Sequence, residues 1–159
     1  KMYGAFVYDY TIRSYVCFIH PTLSPSKIIG NQVRSIDIMP TILDLLNIKP
    51  DNNHMKIEGE TLIPFFKHKK GILDWFSAKP KNRLAYVETG SIKGPWPSPE
   101  SPNVRCVRTL KHKIIHNSTP DTWEFYDLEF DPTEKINLID SDIEQIPIMK
   151  KHLIDYFYK

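Results

Sequence analysis

Basic side chains flank a long proline-rich segment, and together they could bind an anionic substrate. Residues 90–103 hold four prolines, two glycines and Trp96, a composition typical of an irregular loop. A loop of this length in a compact domain is commonly functional, so we expect it to form a wall of a binding site. The basic residues beside it are Arg105, Arg108, Lys111 and Lys113. Exposed strand faces also carry Arg and Lys commonly, and that alternative stays open.

Other polar residues favour structural roles. His112 and His116 would share a strand face, but no Asp, Glu or Cys stands at a suitable spacing to complete a zinc site with them. Asp37 is placed to cap a helix. Two further groups are expected to fix local structure: Asp9 with Arg13 as an ion pair, and Asp131, Glu134 and Asn137 as a turn held by side-chain hydrogen bonds. For Asp9 and Arg13, orienting an active-site segment is the alternative.

Composition indicates a folded domain with one core. The chain has 159 residues, 41% of them hydrophobic, and its 21 basic and 19 acidic residues are interspersed, which argues against a nucleic-acid partner. No apolar run approaches the about 20 residues of a membrane helix, and no secretory signal is visible, so we expect a cytoplasmic protein unless a signal precedes Lys1. Cys17 and Cys106 each lie in an apolar run, which predicts buried free thiols.

The first half of the chain predicts one strand and one helix. Residues 15–19 are apolar on both faces, which is typical of a buried central strand. From Ser35 onward, apolar residues at helical spacing predict a helix with one apolar stripe. The stripe consists of Met39, Ile42, Leu43 and Leu46.

The second half predicts an antiparallel meander covered by a terminal helix. Three short strand-like runs, at residues 104–109, 113–117 and 123–129, are separated by turn residues and predict the meander, and a separate strand is predicted at residues 83–88, before the proline-rich loop. The last segment offers Ser141 and Glu144 as a capping box, and Pro147 either kinks the helix or marks its start. Its apolar stripe consists of Ile146, Met149, Leu153 and Phe157.

Four stretches, in order, resemble the sulfatase family of the alkaline phosphatase superfamily. Residues 4–13 resemble the family's Gly-x-x-x-Tyr-Asp/Glu-x-x-x-Arg segment, and residues 33–46 resemble its Ser-x-Asp-Ile-x-Pro-Thr helix. Residues 105–109 and 125–138 resemble its Arg-x-Val-Arg-Thr and Leu-Tyr-Asp-Leu-x-x-Asp-Pro-x-Glu-x-x-Asn-Leu segments. The resemblance implies an α/β to α+β fold: residues 1–50 supply the final strand and helix of an α/β catalytic domain, and residues 51–159 form a C-terminal subdomain.

The resemblance also implies sulfate ester hydrolysis by a formylglycine, made from the Cys or Ser of a Cys/Ser-x-Pro-Ser-Arg motif, beside a divalent metal such as calcium. That motif is absent: the nearest segment, residues 23–27, has Leu23 in the nucleophile position. We therefore expect nucleophile and metal ligands upstream, and an inactive fragment. A family Lys or His that contacts sulfate would precede Gly4, where this chain has Tyr3, with Lys1 two residues earlier. These two are the catalytic candidates, and a merely solvated Lys1 is the alternative.

Two other functions stay open. The same superfamily hydrolyses phosphate and phosphonate esters, and the chain could instead be a pseudoenzyme or binding module. The candidate substrate-binding residues are Trp96, Arg105 and Arg108. An unpaired sheet edge and apolar face around residues 15–19 also predict self-association.

Overall fold

The computed structural model describes residues 6–23, 28–50, 56–66, 83–89 and 103–159. Contacts divide the chain into two compact units. We call them the sheet unit, residues 1–15 with 84–159, and the helical unit, residues 16–83. The sheet unit is therefore built from two pieces of chain that are distant in sequence.

Four antiparallel strands form the sheet, in the order β1-β2-β3-β4. They are Ala85–Thr89 (β1), Val104–Arg108 (β2), His112–Ser118 (β3) and Asp121–Asp127 (β4). The strands β2, β3 and β4 pair in sequence, which confirms the predicted meander, and β1, which was predicted as a separate strand, pairs with β2. The register aligns Val107 with Ile114 and Ile114 with Phe125, so these apolar side chains share one face.

The terminal helix α4, Gln145–Phe157, covers that face and confirms the predicted packing. The buried cluster between them contains Val107, Ile114, Phe125, Ile146, Met149 and Leu153. Pro147 is the third residue of the helix, where its missing N–H costs no helical hydrogen bond. The predicted capping box is wrong, because the helix begins after Glu144 and has no side-chain cap.

Residues 6–12 pack on the opposite face of the sheet. They include the one-turn helix α1, Asp9–Ile12. The buried cluster on this side contains Val7, Cys106, Ile115, Tyr126 and Leu128. Cys106 is a buried free thiol, as predicted. The sheet is therefore enclosed by α4 on one face and by this N-terminal segment on the other.

The helical unit contains the predicted helix. A 3-10 turn, Ser35–Asp37, leads into α2, Ile38–Leu45, and a short helix α3 follows at Ile63–Phe66. The buried positions of the 3-10 turn and of α2 are polar, since Asp37 and Thr41 are both 0% exposed. Thr41 Oγ1 accepts a hydrogen bond from the backbone of Leu62, at 2.9 Å. The helix turns this side inward because that backbone N–H needs a partner.

The apolar stripe of α2 is consequently half exposed. Met39 is 50% exposed, Ile42 44% and Leu46 54%. The spacing of the apolar residues thus predicted the helix. It did not predict which side of the helix is buried against the other described residues.

The predicted buried strand at residues 15–19 is wrong. These residues form no strand, and Tyr15 and Ile19 are 93% and 94% exposed. A strand requires a backbone partner on at least one edge, and the four described strands pair only with one another. Cys17, which lies in this run, is exposed, so its prediction as a buried thiol is also wrong.

Two sequence predictions concern larger organisation. None of the helices within the described ranges has the length and apolar character needed to cross a bilayer. The predicted boundary at residue 50, with a catalytic-domain part before it and a C-terminal part after it, stays a prediction.

Candidate functional site

Four charged side chains join α1 to the sheet, and we call them the Asp9 cluster. Its members are Asp9 in α1, Arg108 at the end of β2, Lys113 in β3 and Glu134 in the turn after β4. Arg108 donates from Nε and Nη2 to the two carboxylate oxygens of Asp9, at 2.9 and 2.7 Å. Lys113 Nζ lies 2.5 Å from Asp9 Oδ1 and 2.6 Å from Glu134 Oε1. Two cations thus meet two anions.

Lys113 is fully buried, at 0% exposure. Its ammonium also donates to the backbone carbonyl of Val7 at 3.1 Å, so it makes two hydrogen bonds, to Val7 and Asp9, and a further ion-pair contact with Glu134. Glu134 uses its second oxygen to accept from the backbone N–H of Asp9 at 2.6 Å. A buried charge is tolerated when it is paired and hydrogen-bonded in this way. The cluster therefore fixes α1 to the sheet.

The turn after β4 presents Glu134 to the cluster. Glu134 has a φ of 54°, in the left-handed region that costs a non-glycine residue about 1–2 kcal/mol. Asp131 holds this turn, as predicted, by accepting from the backbone of Lys135 and Ile136 at 2.6 and 2.8 Å. Glu134 does not fix the turn with its own side chain but reaches across to α1, so its predicted local role is wrong.

The Asp9 cluster makes the stability of the fold depend on pH. Burial alone would raise the pKa of Asp9, but hydrogen bonds from Arg108 and Lys113 outweigh burial and lower the pKa from 3.8 to about 2. Because the pKa is lower in the folded state, the ionised carboxylate stabilises the fold above pH 3.8, and this contribution is lost as pH falls towards 2.

We therefore expect wild type to lose stability relative to Asp9→Asn between about pH 4 and pH 2. The measurement is the free energy of unfolding of both proteins in urea across this range. The difference between the two proteins isolates Asp9 from the other carboxyl groups. A difference that stays constant over the range would contradict the prediction.

On the same face of the sheet, the carboxylate of Glu124 is shared by two tyrosines. The hydroxyls of Tyr8 and Tyr126 donate to Glu124 Oε2 at 2.8 and 2.7 Å, and Asn117 donates to Oε1 at 3.0 Å. Burial, together with the hydrogen bond to Glu124, raises the pKa of Tyr8 to about 12 and also raises that of Tyr126. Both hydroxyls therefore remain protonated donors.

A third polar group surrounds His116 on the α4 side of the sheet. Its Nε2 lies 2.7 Å from Asp121 Oδ1 and its Nδ1 lies 2.6 Å from the hydroxyl of Tyr158. Arg105 donates to the same hydroxyl at 2.8 Å. The group thus ties the end of α4 to β2 and β3.

In the helical unit, Asp37 is the centre of a separate ionic group. Its carboxylate accepts from the backbone of Arg34 and of Glu60, both at 2.9 Å, and lies 3.1 Å from Arg83 Nη2. Burial favours a raised pKa for Asp37, but the Arg34 side chain and these backbone donors lower it. Asp37 occupies the N-cap position of α2, but the predicted cap is wrong, because its side chain makes no cap hydrogen bond to α2 and instead closes the preceding 3-10 turn.

The structure places the candidate basic residues in different surroundings. Arg105 is bound to Tyr158, Arg108 is bound to Asp9, and Lys111 forms an exposed pair with Glu129 at 2.8 Å. The alternative that all four basic residues lie on exposed strand faces is wrong, because Lys113 is buried. Contact of Arg105 and Arg108 with a substrate stays a prediction.

The other predictions about this region have different outcomes. The predicted pairing of Asp9 with Arg13 is wrong, since the partners of Asp9 are Arg108 and Lys113. Lys1, Tyr3, Trp96 and almost all of the proline-rich loop lie outside the described residues. The catalytic and substrate-binding roles of these residues stay predictions.

The described residues do not fit a metal centre. Within residues 6–23, 28–50, 56–66, 83–89 and 103–159, no three His, Cys, Asp or Glu side chains form a group that could hold an ion. The buried thiol of Cys106 is a poor nucleophile, because burial raises its pKa to about 12.

The sequence interpretation missed Lys113 as a buried residue, although a signal existed. Alternation along β3 puts Lys113 on the same face as Ile115, which is an inward position. The partners, Asp9 and Glu134, are 104 residues before it and 21 residues after it in the numbering. Ion pairs between residues so far apart cannot be predicted from the spacing of residues in the sequence.

Comparison with known proteins identifies the relatives of this architecture. A family model described as "N-sulphoglucosamine sulphohydrolase, C-terminal" matches residues 3–156. A protein from Bacteroides thetaiotaomicron VPI-5482 that is assigned to the sulfatases is 25% identical, with a TM-score of 0.51 over 77% of this chain. A 2-O GAG sulfatase gives the same identity, TM-score and coverage. Ps i-CgsB, 17% identical with a TM-score of 0.53 over 79% of this chain, shares the fold.

These relatives are much longer than this chain. The match covers 24% of each of the three structures. No curated protein sequence matches this chain. The matching part of this chain therefore spans about a quarter of each of these three structures.

Proposed function

We propose that this chain, which belongs to the N-sulphoglucosamine sulphohydrolase C-terminal family, forms the C-terminal part of a metal-dependent sulfatase that removes sulfate from a glycan. The activity is that of a longer protein, since the solved relatives extend well beyond the matched part. Within such an enzyme, the part played by this chain is to hold the segment before α1 in a fixed position.

One observation carries the proposal: residues from separate sulfatase-like stretches meet in the Asp9 cluster. Asp9 comes from the first stretch, and Arg108 and Glu134 come from the last two. Lys113 completes the cluster from β3. These motif residues are far apart in sequence but pair in one buried site. Their pairing indicates that the sulfatase-like sequence pattern specifies the packing of α1 on the sheet. Because the segment before Asp9 would carry the sulfate-contacting position, the cluster would position the edge of an active site.

Residues 1–50 would complete the α/β catalytic domain of the longer protein. The half-exposed apolar stripe of α2 and the exposed side chains of Tyr15 and Ile19 support this, since packing against further chain would bury them. The nucleophile and the metal, which we propose to be calcium, would then be supplied by that further chain. The metal would stabilise an ionised nucleophile and polarise the ester.

The proposed substrate is a sulfated glycosaminoglycan. The matching family model is described by N-sulphoglucosamine, and one structure of similar fold is a 2-O GAG sulfatase. Trp96, Arg105 and Arg108 are the residues of this chain that we propose to contact the anionic substrate. Phosphate and phosphonate esters are the competing substrates within the superfamily.

The test is sulfate release by the protein encoded by the complete reading frame that contains this chain. We expect hydrolysis of 4-nitrophenyl sulfate and of sulfated glycosaminoglycan disaccharides, little hydrolysis of 4-nitrophenyl phosphate, and loss of activity with EDTA that calcium restores. The 159-residue chain is the matched control, and we expect it to be inactive.

Each contrary result has a specific meaning. No sulfate release by the complete, calcium-loaded protein on either substrate class would favour a pseudoenzyme or a binding module. Faster release of phosphate than of sulfate would show that the enzyme is a phosphate ester hydrolase and not a sulfatase. Metal-dependent turnover by the 159-residue chain would contradict the placement of the nucleophile elsewhere.

Three sequence expectations remain part of the proposal. Self-association of the isolated 159-residue chain would involve the exposed apolar residues Tyr15 and Ile19, which further chain would otherwise cover. The protein would be cytoplasmic. Neither nucleic acid nor membrane would be a partner.

A further inference from the structure

A chain of hydrogen bonds on the sheet unit ends at the hydroxyl of Tyr158, and we call it the Tyr158 relay. Its members are Asp121, His116, Tyr158 and Arg105. His116 lies in the middle, with its Nε2 2.7 Å from Asp121 Oδ1 and its Nδ1 2.6 Å from the Tyr158 hydroxyl. Arg105 Nη1 donates to the same hydroxyl at 2.8 Å. A carboxylate, an imidazole, a hydroxyl and a guanidinium are thus connected in sequence.

All members of the Tyr158 relay lie on one face of the sheet. The register pairs Arg105 with His116 and His116 with Trp123, so these side chains point to the same side. That side is the one covered by α4, because Val107 and Phe125, two residues further along β2 and β4, belong to the cluster under this helix. Tyr158 directly follows α4 and therefore meets the relay from above.

The chemistry of the partners fixes the direction of the relay. A carboxylate only accepts, so Nε2 of the neutral His116 ring carries the proton and donates to Asp121. Nδ1 is then an acceptor and receives the O–H of Tyr158. The tyrosine oxygen itself accepts from Arg105 and, at 3.1 Å, from Ser118. His116 is therefore placed to act as a base towards Tyr158, and two donors are placed to stabilise the phenolate oxygen.

The base is held rigidly, whereas the hydroxyl group lies near solvent. His116 is 8% exposed, and its ring stacks on Trp123 with a centroid distance of 4.1 Å and an interplanar angle of 18°. The guanidinium carbon of Arg105 lies 4.7 Å from the centroid of the Tyr158 ring. Tyr158 is 44% exposed, and its contacts with Arg105 and Ser118 are at the surface. A small reagent can therefore approach the tyrosine oxygen.

We propose that Tyr158 is a nucleophilic tyrosine that accepts an acyl group from an uncharged, activated acyl donor. His116 Nδ1 removes the hydroxyl proton as the tyrosine oxygen bonds to the carbonyl carbon of the donor. The bond between that carbon and the leaving group then breaks, and His116 passes the proton to the leaving group. The product is an O-acyl tyrosine. A nucleophile, a base and a carboxylate that orients the base have the same order in serine hydrolases.

The charges around the relay favour an uncharged donor. Among the described residues, Arg105 is the one cation bound to the hydroxyl, and Glu88 Oε2 lies 3.5 Å from its Nε. Asp121 adds a second negative charge. A sulfate or phosphate ester would bring further negative charge to an oxygen that is itself becoming an anion. The inference goes beyond the proposed function, because acylation of Tyr158 needs neither a metal nor a formylglycine.

The test is acetylation by N-acetylimidazole of the protein encoded by the complete reading frame. Peptide mass spectrometry gives the rate at each tyrosine, and removal of the label by hydroxylamine identifies it as a phenyl ester. Tyr156 is the reference, since it is 50% exposed and, in the part of the chain that the structure describes, has no hydrogen bond to a histidine. We expect Tyr158 to react at least about tenfold faster than Tyr156, because a positioned general base commonly contributes about 100-fold or more.

Variants of the relay separate the base from a purely structural contact. His116→Gln should lower the rate at Tyr158 to about that of Tyr156, because glutamine cannot take the proton. Asp121→Asn should cause a smaller loss, since the Asp121 side chain is 77% exposed. His112→Gln is the matched control: His112 lies on the same strand and face but stacks on Phe125. It should leave the rate at Tyr158 within about twofold.

Each of four results would overturn the inference. They are rates at Tyr158 and Tyr156 that agree within about tenfold in wild type, an unchanged rate at Tyr158 in His116→Gln, equal losses in His116→Gln and His112→Gln, and equal slowing of Tyr156 and Tyr158 in His116→Gln. The last result would show that His116 only holds the end of α4 in place. These rates are read at named residues and involve no sulfate release, so failure here and failure of the proposed sulfatase activity are distinguishable.

Discussion

Replacing Lys113 with methionine is expected to lower the free energy of unfolding of the sheet unit by about 3–5 kcal/mol. Methionine keeps much of the apolar stem but removes the ammonium that pairs with Asp9 and Glu134. Glu134 would then retain an uncompensated buried charge, while Asp9 would keep only Arg108. Breaking a buried ion pair from one side costs more than the pair itself contributes, because the remaining charge has lost its solvent. Urea denaturation followed by circular dichroism measures the change.

A neighbouring lysine on the same sheet provides the control. Lys111 pairs with Glu129 at the same kind of distance, 2.8 Å, but the two side chains are 58% and 54% exposed. Lys111→Met should therefore cost at most about 1 kcal/mol. Adding Glu134→Gln to Lys113→Met should recover part of the lost stability, because it removes the unpaired charge. Equal losses for the two lysine variants would show that burial of the cluster has no energetic consequence.

Gly59→Ala is expected to destabilise the helical unit by about 3 kcal/mol, near the upper end of the usual cost of overpacking. A Cβ atom at Gly59 would lie 1.9 Å from the carbonyl oxygen and 2.5 Å from the carbonyl carbon of Ile36. These are backbone atoms of the 3-10 turn, so they cannot move without disturbing Asp37. Relief of the clash would also pull the adjacent Glu60 N–H from its bond to Asp37. Hydrogen exchange of the α2 amides measures the loss.

Gly30→Ala is the matched control, since a Cβ atom there meets nothing within 4 Å. Gly30 also lies in the helical unit. The free energy of unfolding of this unit should change by no more than about 1 kcal/mol in Gly30→Ala, with either sign. Unchanged amide protection in Gly59→Ala would mean that residues 36 and 59 do not approach each other as closely as described. Equal loss of protection in both variants would attribute the effect to glycine replacement in general.

Local patterns predicted the elements whose partners are near in sequence. The meander was predictable because each strand pairs with the next, and β3 and β4 are joined by a short turn. α4 was predictable because Ile146, Met149 and Leu153 recur at helical spacing and pack on that sheet. Its start was misjudged, because Glu144 itself is the N-cap and its side chain caps nothing.

Elements whose partners are distant or outside the described residues were misjudged. The apolar run at residues 15–19 satisfies every composition rule for a central strand, yet a strand depends on a neighbour that composition does not reveal. For Lys113 the error is the opposite one, because a charged residue is normally exposed. Its burial is stable only because it pairs with Asp9 and Glu134, which are distant in sequence. The resemblance to sulfatases included Asp9 and Glu134 but did not indicate that they pair with Lys113.

The Asp9 cluster also has a consequence for biosynthesis. The hydrogen bond between the Asp9 backbone and Glu134 spans 125 positions. At about 5–20 residues per second, the ribosome needs roughly 6–25 s to make the chain between them. Throughout that interval α1 lacks its anchor, so the nascent N-terminal segment must wait for the turn that carries Glu134. Docking of α1 through Glu134 is therefore a late event that cannot precede the synthesis of residue 134, and a ribosome-stalled chain that ends before residue 134 should leave residues 6–12 open to protease.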